Sequence, residues 1–285
     1  IMDYNQTSLT PLNNIIKQGQ KKLNNAHIVN AKKEIEWFLE NQFSIPLSDI
    51  KIDKNYKLNP KEVTTFNQFI HRRLQGEPFQ YIINKAPFYG YDFFVNSNTL
   101  IPRPETELII HVAKKFGPYN KSLDIGTGAG NIAITLSLEK IIKNIDAIDI
   151  SQKALNVAIQ NCKQYNLSNI SFLKLNFLAS NIKRKYDLIV SNPPYITNIE
   201  YLALDKHIKF YEPKIALTDK KDGLSFYKFF AKNIIKLLNP KGKIIIEIGF
   251  EHSKDIIENL FKNNGFICTW YKDFNGNYRV FEAHQ

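Results

Sequence analysis

From Thr106 to Ala283 helical and strand periods alternate, and no other feature constrains the fold as strongly. A helix through Leu108, Ile109, Val112 and Phe116 leads into a strand at Ser122–Ile125. A glycine turn and a helix follow, then a strand at Ile145–Ile150 and a helix from Ser151 to about Tyr165. Strands at Ile170–Leu175 and Asp187–Ser191 precede a longer loop. A helix around Leu224–Leu238, a strand at Lys243–Ile248 and a helix around Ile256–Phe261 come next. Two closing strands, near Phe266–Tyr271 and Tyr278–Ala283, are joined at Asn275-Gly276, a dipeptide suited to an antiparallel hairpin. Strands separated by helices pair in parallel, so this half of the chain is an α/β, doubly wound sheet with an antiparallel end.

The first 76 residues read differently. Ile35, Phe38 and Leu39 fall on one face of a helix over Ala31–Asn41. Thr10-Pro11 places a cap residue before a proline suited to the first helical turn. Asn59-Pro60-Lys61-Glu62 combines an N-cap, an N1 proline and a glutamate at N3, and Val63, Phe66, Phe69, Ile70 and Leu74 follow before Gly76. The division expected is a small helical bundle over 1–76, a β-hairpin linker over 77–100 around Tyr89-Gly90-Tyr91, and the α/β domain over 101–285.

Ile1 ahead of Met2 reads as a trimmed or fused terminus. No apolar stretch approaches the roughly 20 residues that span a bilayer, and no signal peptide is evident, so no membrane association and a cytoplasmic location are expected. Cys162 and Cys268 form no CxxC pair and have no histidine companions, which argues against a disulfide framework and against a metal site. The net charge of +11 is spread along a Lys-, Asn- and Ile-rich chain. Two readings stay open for it, an RNA-rich partner or a biased composition.

Asp124-Ile125-Gly126-Thr127-Gly128-Ala129-Gly130 lies where the first parallel strand hands over to a helix. Glycines there let the backbone approach a ligand that a Cβ would exclude. Asp149 ends the next strand about 20 residues on, where a carboxylate accepts hydrogen bonds from ribose hydroxyls; it could equally cap the next helix, as could Ser151. The spacing is G-x-G-x-G, and Asn131 stands where a dinucleotide fingerprint wants a small residue. Asp124 could meet an amino group, which a methionine moiety has and a pyrophosphate lacks. These features favour S-adenosylmethionine over a dinucleotide.

Asn192-Pro193-Pro194-Tyr195 follows the apolar strand Asp187–Ser191 at its C-terminal end, where open α/β sheets bind ligands. Two prolines fix two φ angles and leave stiffly aimed carbonyls. The Asn192 side-chain oxygen and the Pro193 carbonyl can each accept one N–H of a planar NH2 group, with Tyr195 against its flat face. Two accepted hydrogen bonds favour a pyramidal nitrogen, and the rate would come from orientation and electrostatics rather than a strong base. An ordinary Pro-Pro turn is the bland alternative.

These residues resemble the amino-methyltransferases of the class I fold, which share a (D/N)PP(Y/F) turn. The wider resemblance is to the HemK/PrmC family of protein-glutamine methyltransferases. It is carried by Pro78, Gln80-Tyr81-Ile82, Phe88-Tyr89-Gly90, Leu100-Ile101-Pro102-Arg103-Pro104-Glu105-Thr106-Glu107, Asp124–Gly130, Asp149, the Asn192–Tyr195 turn and Glu247-Ile248-Gly249. The resemblance implies a seven-stranded class I methyltransferase sheet behind a helical substrate-recognition domain. It also implies S-adenosylmethionine as cofactor and, as substrate, the glutamine of the Gly-Gly-Gln motif of class 1 peptide chain release factors. Cofactor contacts would then fall on Asp124, Gly126, Thr127, Gly128, Ala129, Gly130, Asp149, Ile150, Asn176, Phe177 and Asn192. Substrate contacts would fall on Asn192, Pro193, Pro194 and Tyr195, with Asn192, Pro193 and Tyr195 catalytic. The family often has Asp-Trp where this chain has Asn176-Phe177. Ile101–Glu107 reads as a cofactor lid or a domain-joining turn. The rival functions are an RNA methyltransferase acting on an exocyclic adenine or guanine amine and a non-catalytic module that retains the fold; no stable nucleic-acid binding is expected.

Overall fold

Asn59 and Glu62 cap each other. The Asn59 side-chain oxygen accepts the Glu62 N–H at 2.9 Å, and the Glu62 carboxylate accepts the Asn59 N–H at 2.8 Å. In the computed structural model, which describes residues 9–51, 56–249 and 253–285, the chain divides into two compact units, Ile1–Asn84 and Lys85–Gln285. The boundary lies beyond Gly76 and leaves the hairpin in the second unit.

The first unit holds helices α1 (Leu12–Asn25), α2 (Ala31–Phe43), α3 (Leu47–Lys51), α4 (Pro60–Leu74) and the single turn α5 (Phe79–Ile82). Their apolar faces meet in one core in which the rings of Phe38 and Phe69 stack with centroids 4.2 Å apart. Thr10 is not a helix cap. Thr10–Pro11 forms strand β1, paired antiparallel with β2 (Lys57–Leu58), and Pro11 takes the cap position with no side-chain hydrogen bond. The basic triplet His71-Arg72-Arg73 is committed rather than free at two of its positions. Arg72 pairs with Glu77, and Arg73 forks onto buried Glu34 at 2.7 and 3.1 Å.

The second unit opens with a short hairpin, β3 (Ala86–Phe88) and β4 (Tyr91–Phe93). Helix α6 (Glu107–Phe116) follows a 3₁₀ turn at Pro104–Thr106. The sheet strands are β5 (Tyr119–Ile125), β6 (Ile142–Asp149), β7 (Ile170–Lys174), β8 (Tyr186–Ser191), β9 (Leu238–Glu247), β10 (Ile267–Lys272) and β11 (Tyr278–His284). Between them run α7 (Asn131–Leu138), α8 (Gln152–Gln164), the short helices α9 (Asn198–Ala203), α10 (Lys206–Tyr211) and α11 (Lys214–Leu217), then α12 (Ser225–Asn233) and α13 (Lys254–Lys262).

The strand order is β10-β11-β9-β8-β5-β6-β7, parallel from β9 to β7 and antiparallel on both sides of β11. Hairpin partner β11 therefore does not close the edge; it lies between β10 and β9. Side chains alternate across the sheet. Leu188, Val190, Ile245 and Val280 join one core with α6 and α7, and Ile189, Ile244, Ile246 and Phe281 join the other with α12 and α13. Burial on both faces explains why these strands read as unbroken apolar runs. Among the described residues no helix is long and apolar enough to cross a membrane.

Candidate active site

The sheet order reverses between β5 and β8, and loops leaving neighbouring strands there diverge to open a crevice. Ile125 pairs with Ser191, and the Ser191 hydroxyl donates to the Ile125 carbonyl at 2.8 Å. Gly126 and Asn192 therefore leave the sheet side by side. A cavity of about 380 Å³ lies above them, a size suited to a small-molecule cofactor.

One part of its wall is the glycine loop, Gly126–Ala129, with Asp149, Ile150, Asn176 and Phe177. Gly130 closes the loop at φ +81°, where a Cβ would fall 3.0 Å from Ile134 Cδ1 and 3.1 Å from Ala158 Cβ, so only glycine lets α7 start against α8 here. A Cβ on Gly126 would meet no protein atom within 4 Å; that side of the loop opens on the cavity.

The Asp149 carboxylate accepts the Gly128 N–H at 3.0 Å and the Ser151 N–H at 2.8 Å. Capping of α8 falls to Ser151, whose hydroxyl accepts the Ala154 N–H at 3.2 Å. Burial raises the Asp149 pKa, and its backbone hydrogen bonds hold it down in part. Asp149 stays partly exposed on the cavity wall, available to a ligand hydroxyl.

Asp124 sits apart from the cavity. It is fully buried, and its Oδ2 accepts the Thr127 hydroxyl at 2.6 Å. Leu123 and Ile125 face the α12–α13 core, so strand alternation turns Asp124 to the α7 side, beneath the loop. Among the described residues its Oδ1 has no hydrogen-bond partner, and burial pushes the carboxyl up to about 7, offset in part by the Thr127 hydroxyl and the Ala133 N–H.

Asn192, Pro193 and Pro194 form the wall beside the glycine loop. The Asn192 Nδ2 donates to Thr106 Oγ1 at 3.0 Å, which leaves the side-chain oxygen free of that bond. Tyr195 is not on this cavity. Its ring lies on Gly249, where a Cβ would fall 2.3 Å from Tyr195 Cδ2, and its hydroxyl donates weakly to Glu247 Oε1 at 3.4 Å. Burial and Glu247 push the phenol up, so it is neutral.

Two further stretches close the cavity, the first overlapping the Ile101–Glu107 segment that the sequence leaves as a lid or a joining turn, the second without any sequence signal. Asn98–Leu100, Pro102, Arg103 and Thr106 line one side, and Arg103 is held by Glu212 at 2.5 Å. The Ile101–Glu107 segment is thus part of the wall. The other stretch runs from Pro213 past α11 to Lys221. Its one helix, α11, is too short for a readable period. The signal for the first lay in Thr106 and Arg103 themselves, polar residues in an otherwise proline-rich turn.

This is the architecture of a class I methyltransferase, the class whose cofactor is S-adenosylmethionine, and a glycine loop without Cβ atoms beside a strand-ending carboxylate fits that cofactor. Residues 104–208 match the methyltransferase small domain and residues 14–83 the PrmC N-terminal domain. The release factor glutamine methyltransferase of Bacillus subtilis is 40% identical over 77% of this chain and 79% of its own length, and that of Buchnera aphidicola 37% identical over 94% and 97%. The chain belongs to the release factor glutamine methyltransferase family. The bifunctional methyltransferase of Rickettsia felis is 33% identical over 93% of this chain, which spans 56% of that longer protein. Among solved structures, a methyltransferase from Pyrococcus furiosus superposes with a TM-score of 0.54 at 19% identity, covering 69% of this chain and 89% of its own. That likeness is one of fold.

Proposed function

We propose that this chain transfers a methyl group from S-adenosylmethionine to the side-chain amide nitrogen of the glutamine in the Gly-Gly-Gln motif of class 1 peptide chain release factors. The observation that carries this reading is the shared cavity. Asn192 and Pro193, a stiff pair of acceptors, line the same space as the glycine loop and Asp149.

The glycine loop and Asp149 would hold the cofactor's methionine and ribose parts, and Ile150, Asn176 and Phe177 its adenine end. Phe177 is buried against Phe229 and Phe230, which fixes its ring, whereas Asn176 is exposed. When bound, S-adenosylmethionine supplies an electrophilic methyl on a sulfonium that departs as a neutral thioether. The chain's own residues must orient a weakly nucleophilic amide. Asn192 Oδ1 and the Pro193 carbonyl each accept one amide N–H, which draws the nitrogen lone pair out of conjugation and toward the methyl carbon. The nitrogen loses its extra proton to solvent once the new N–C bond exists. Tyr195, whose ring packs on Gly249 away from the cavity, would support the turn from behind. The helical unit would recognise the release factor body, leaving the 101–285 domain to perform the transfer.

The test is transfer of labelled methyl to a purified class 1 release factor, with the Gln→Ala variant of its Gly-Gly-Gln motif as control. Label is expected in the first and absent from the second. Label in ribosomal or transfer RNA, with the release factor untouched, would instead establish an RNA amine as the substrate.

A further inference from the structure

A carboxamide has nearly the same shape with its oxygen and nitrogen exchanged, yet only one orientation of Asn192 can receive an NH2 group. Reversed, it would aim its own donors at the donors of the target amide. Something must therefore distinguish the two ends.

Thr106 makes the contact that could do so. It ends the 3₁₀ turn before α6, is 2% exposed, and accepts the Asn192 Nδ2–H at 3.0 Å. A hydroxyl both donates and accepts, so by itself it tolerates either orientation of the amide. The ambiguity ends if its proton is committed elsewhere. Glu247, at the end of β9 and 1% exposed, faces Thr106. Among the described residues its Oε1 receives the long bond from Tyr195, its Oε2 has no hydrogen-bond partner, and Tyr227 donates to its backbone carbonyl instead. Arg279 from β11 and Glu105 from the 3₁₀ turn are the other charges acting on it. Burial pushes the Glu247 carboxyl up to about 7, so above that pH it is ionised, accepts and cannot donate, and the orientation is fixed there.

We infer that Thr106 is a positioning residue for methyl transfer: its hydroxyl gives its proton to Glu247 and its lone pair to Asn192, which fixes the Asn192 oxygen toward the target amide. This rests on the reading that Asn192 accepts from that amide. Thr106 touches neither the reacting nitrogen nor the methyl group in this scheme; it acts through Asn192.

The experiment is steady-state methylation of a release factor, with cofactor affinity measured by calorimetry for each variant. Thr106→Val keeps the shape and removes the hydroxyl. We expect kcat to fall about 10- to 100-fold while KM and cofactor Kd stay within about twofold, the signature of lost orientation. Thr106→Ser should recover kcat to within about threefold. Glu247→Gln can donate where the carboxylate could only accept, and should lower kcat similarly, with the double variant no worse than Thr106→Val alone. Unchanged kcat in Thr106→Val overturns the proposal. So does loss of cofactor binding in that variant, or a Thr106→Ser variant as slow as Thr106→Val, since either assigns Thr106 a packing role. Asn192→Ala, run alongside, separates the two readings. If it is slow while Thr106→Val is normal, only the positioning role fails; if Asn192→Ala is itself normal, the Asn192 mechanism fails and takes the positioning role with it.

Discussion

The Asp149 carboxylate accepts the backbone N–H of Gly128 at 3.0 Å, so the end of β6 holds the loop that leaves β5. Asp149 thus shapes the glycine cradle as well as facing the cavity. Asp149→Ala should weaken S-adenosylmethionine binding on both counts, by about a hundredfold or more if two hydrogen bonds to a charged group are lost. Asp149→Asn, which still accepts, should retain part of the affinity. Calorimetric titration checks this, and equal losses in the two variants would show that charge alone matters.

Asn192→Ala should raise the barrier to methyl transfer by roughly 2.7–4 kcal/mol, by analogy with removal of one preorganised hydrogen-bonding group from an active site, with a smaller loss of cofactor affinity. Single-turnover methylation of a release factor is the appropriate measurement, because it separates the chemical step from product release.

Gly130→Ala and Gly126→Ala should separate packing from access. Gly130 is held at φ +81° with side chains of α7 and α8 about 3 Å from any added Cβ. Its alanine variant should lose roughly 1–2 kcal/mol from the left-handed backbone and another 1–3 kcal/mol from crowding. Gly126→Ala shares the left-handed strain at φ +74° but has no described atom within 4 Å of its Cβ, so it escapes the crowding and its further loss should be in cofactor affinity. Urea unfolding midpoints compare the two, and equal shifts would remove the crowding argument.

Asp124 imposes a pH dependence whose sign follows from linkage. Unfolded, its carboxyl titrates from 3.8; in the fold, burial pushes it up to about 7. Between those values the native state binds more protons than the unfolded chain, so stability falls as pH rises through the window and levels off above it. Buried Glu247, also pushed up to about 7 by burial, adds to the same slope. Asp124→Asn should therefore gain stability relative to the parent as pH is raised from 4 to 7, seen as a shallower decline in Tm.

The parallel sheet was legible because residues such as Ile244, Ile245 and Ile246 enter opposite cores in alternation, and apolar runs of that kind have few other uses. The glycine turn and Asn192 were legible because their chemistry is local. The position of β11 was not, since a hairpin pattern says that two strands pair without saying which of them borders β9. The wall after Asn192 was hidden for a different reason. Helices α9–α11 span four to six residues each and expose Ile199, Leu202 and Phe210, so no periodicity marks them. Asp124 belongs to the same motif as the glycines, but the alternation of β5 turns its side chain inward, which a motif alone does not show. Thr10 is ambiguous in the sequence because a cap and a strand that meets Leu58 start with the same residues, and only the distant pairing decides.

Strand β11 lies between β9 and β10. During synthesis the ribosome delivers β9 about thirty residues before its neighbour exists, an interval of some seconds at ordinary elongation rates. Through that interval β9 presents an open row of backbone donors and acceptors, an edge prone to pair with other chains. The Asn275-Gly276 turn brings β10 and β11 together as a finished ribbon, so the gap can be filled in one docking step once Tyr278–His284 has emerged. A nascent chain stalled before that point would carry an uncovered edge, and chaperone demand should be concentrated there.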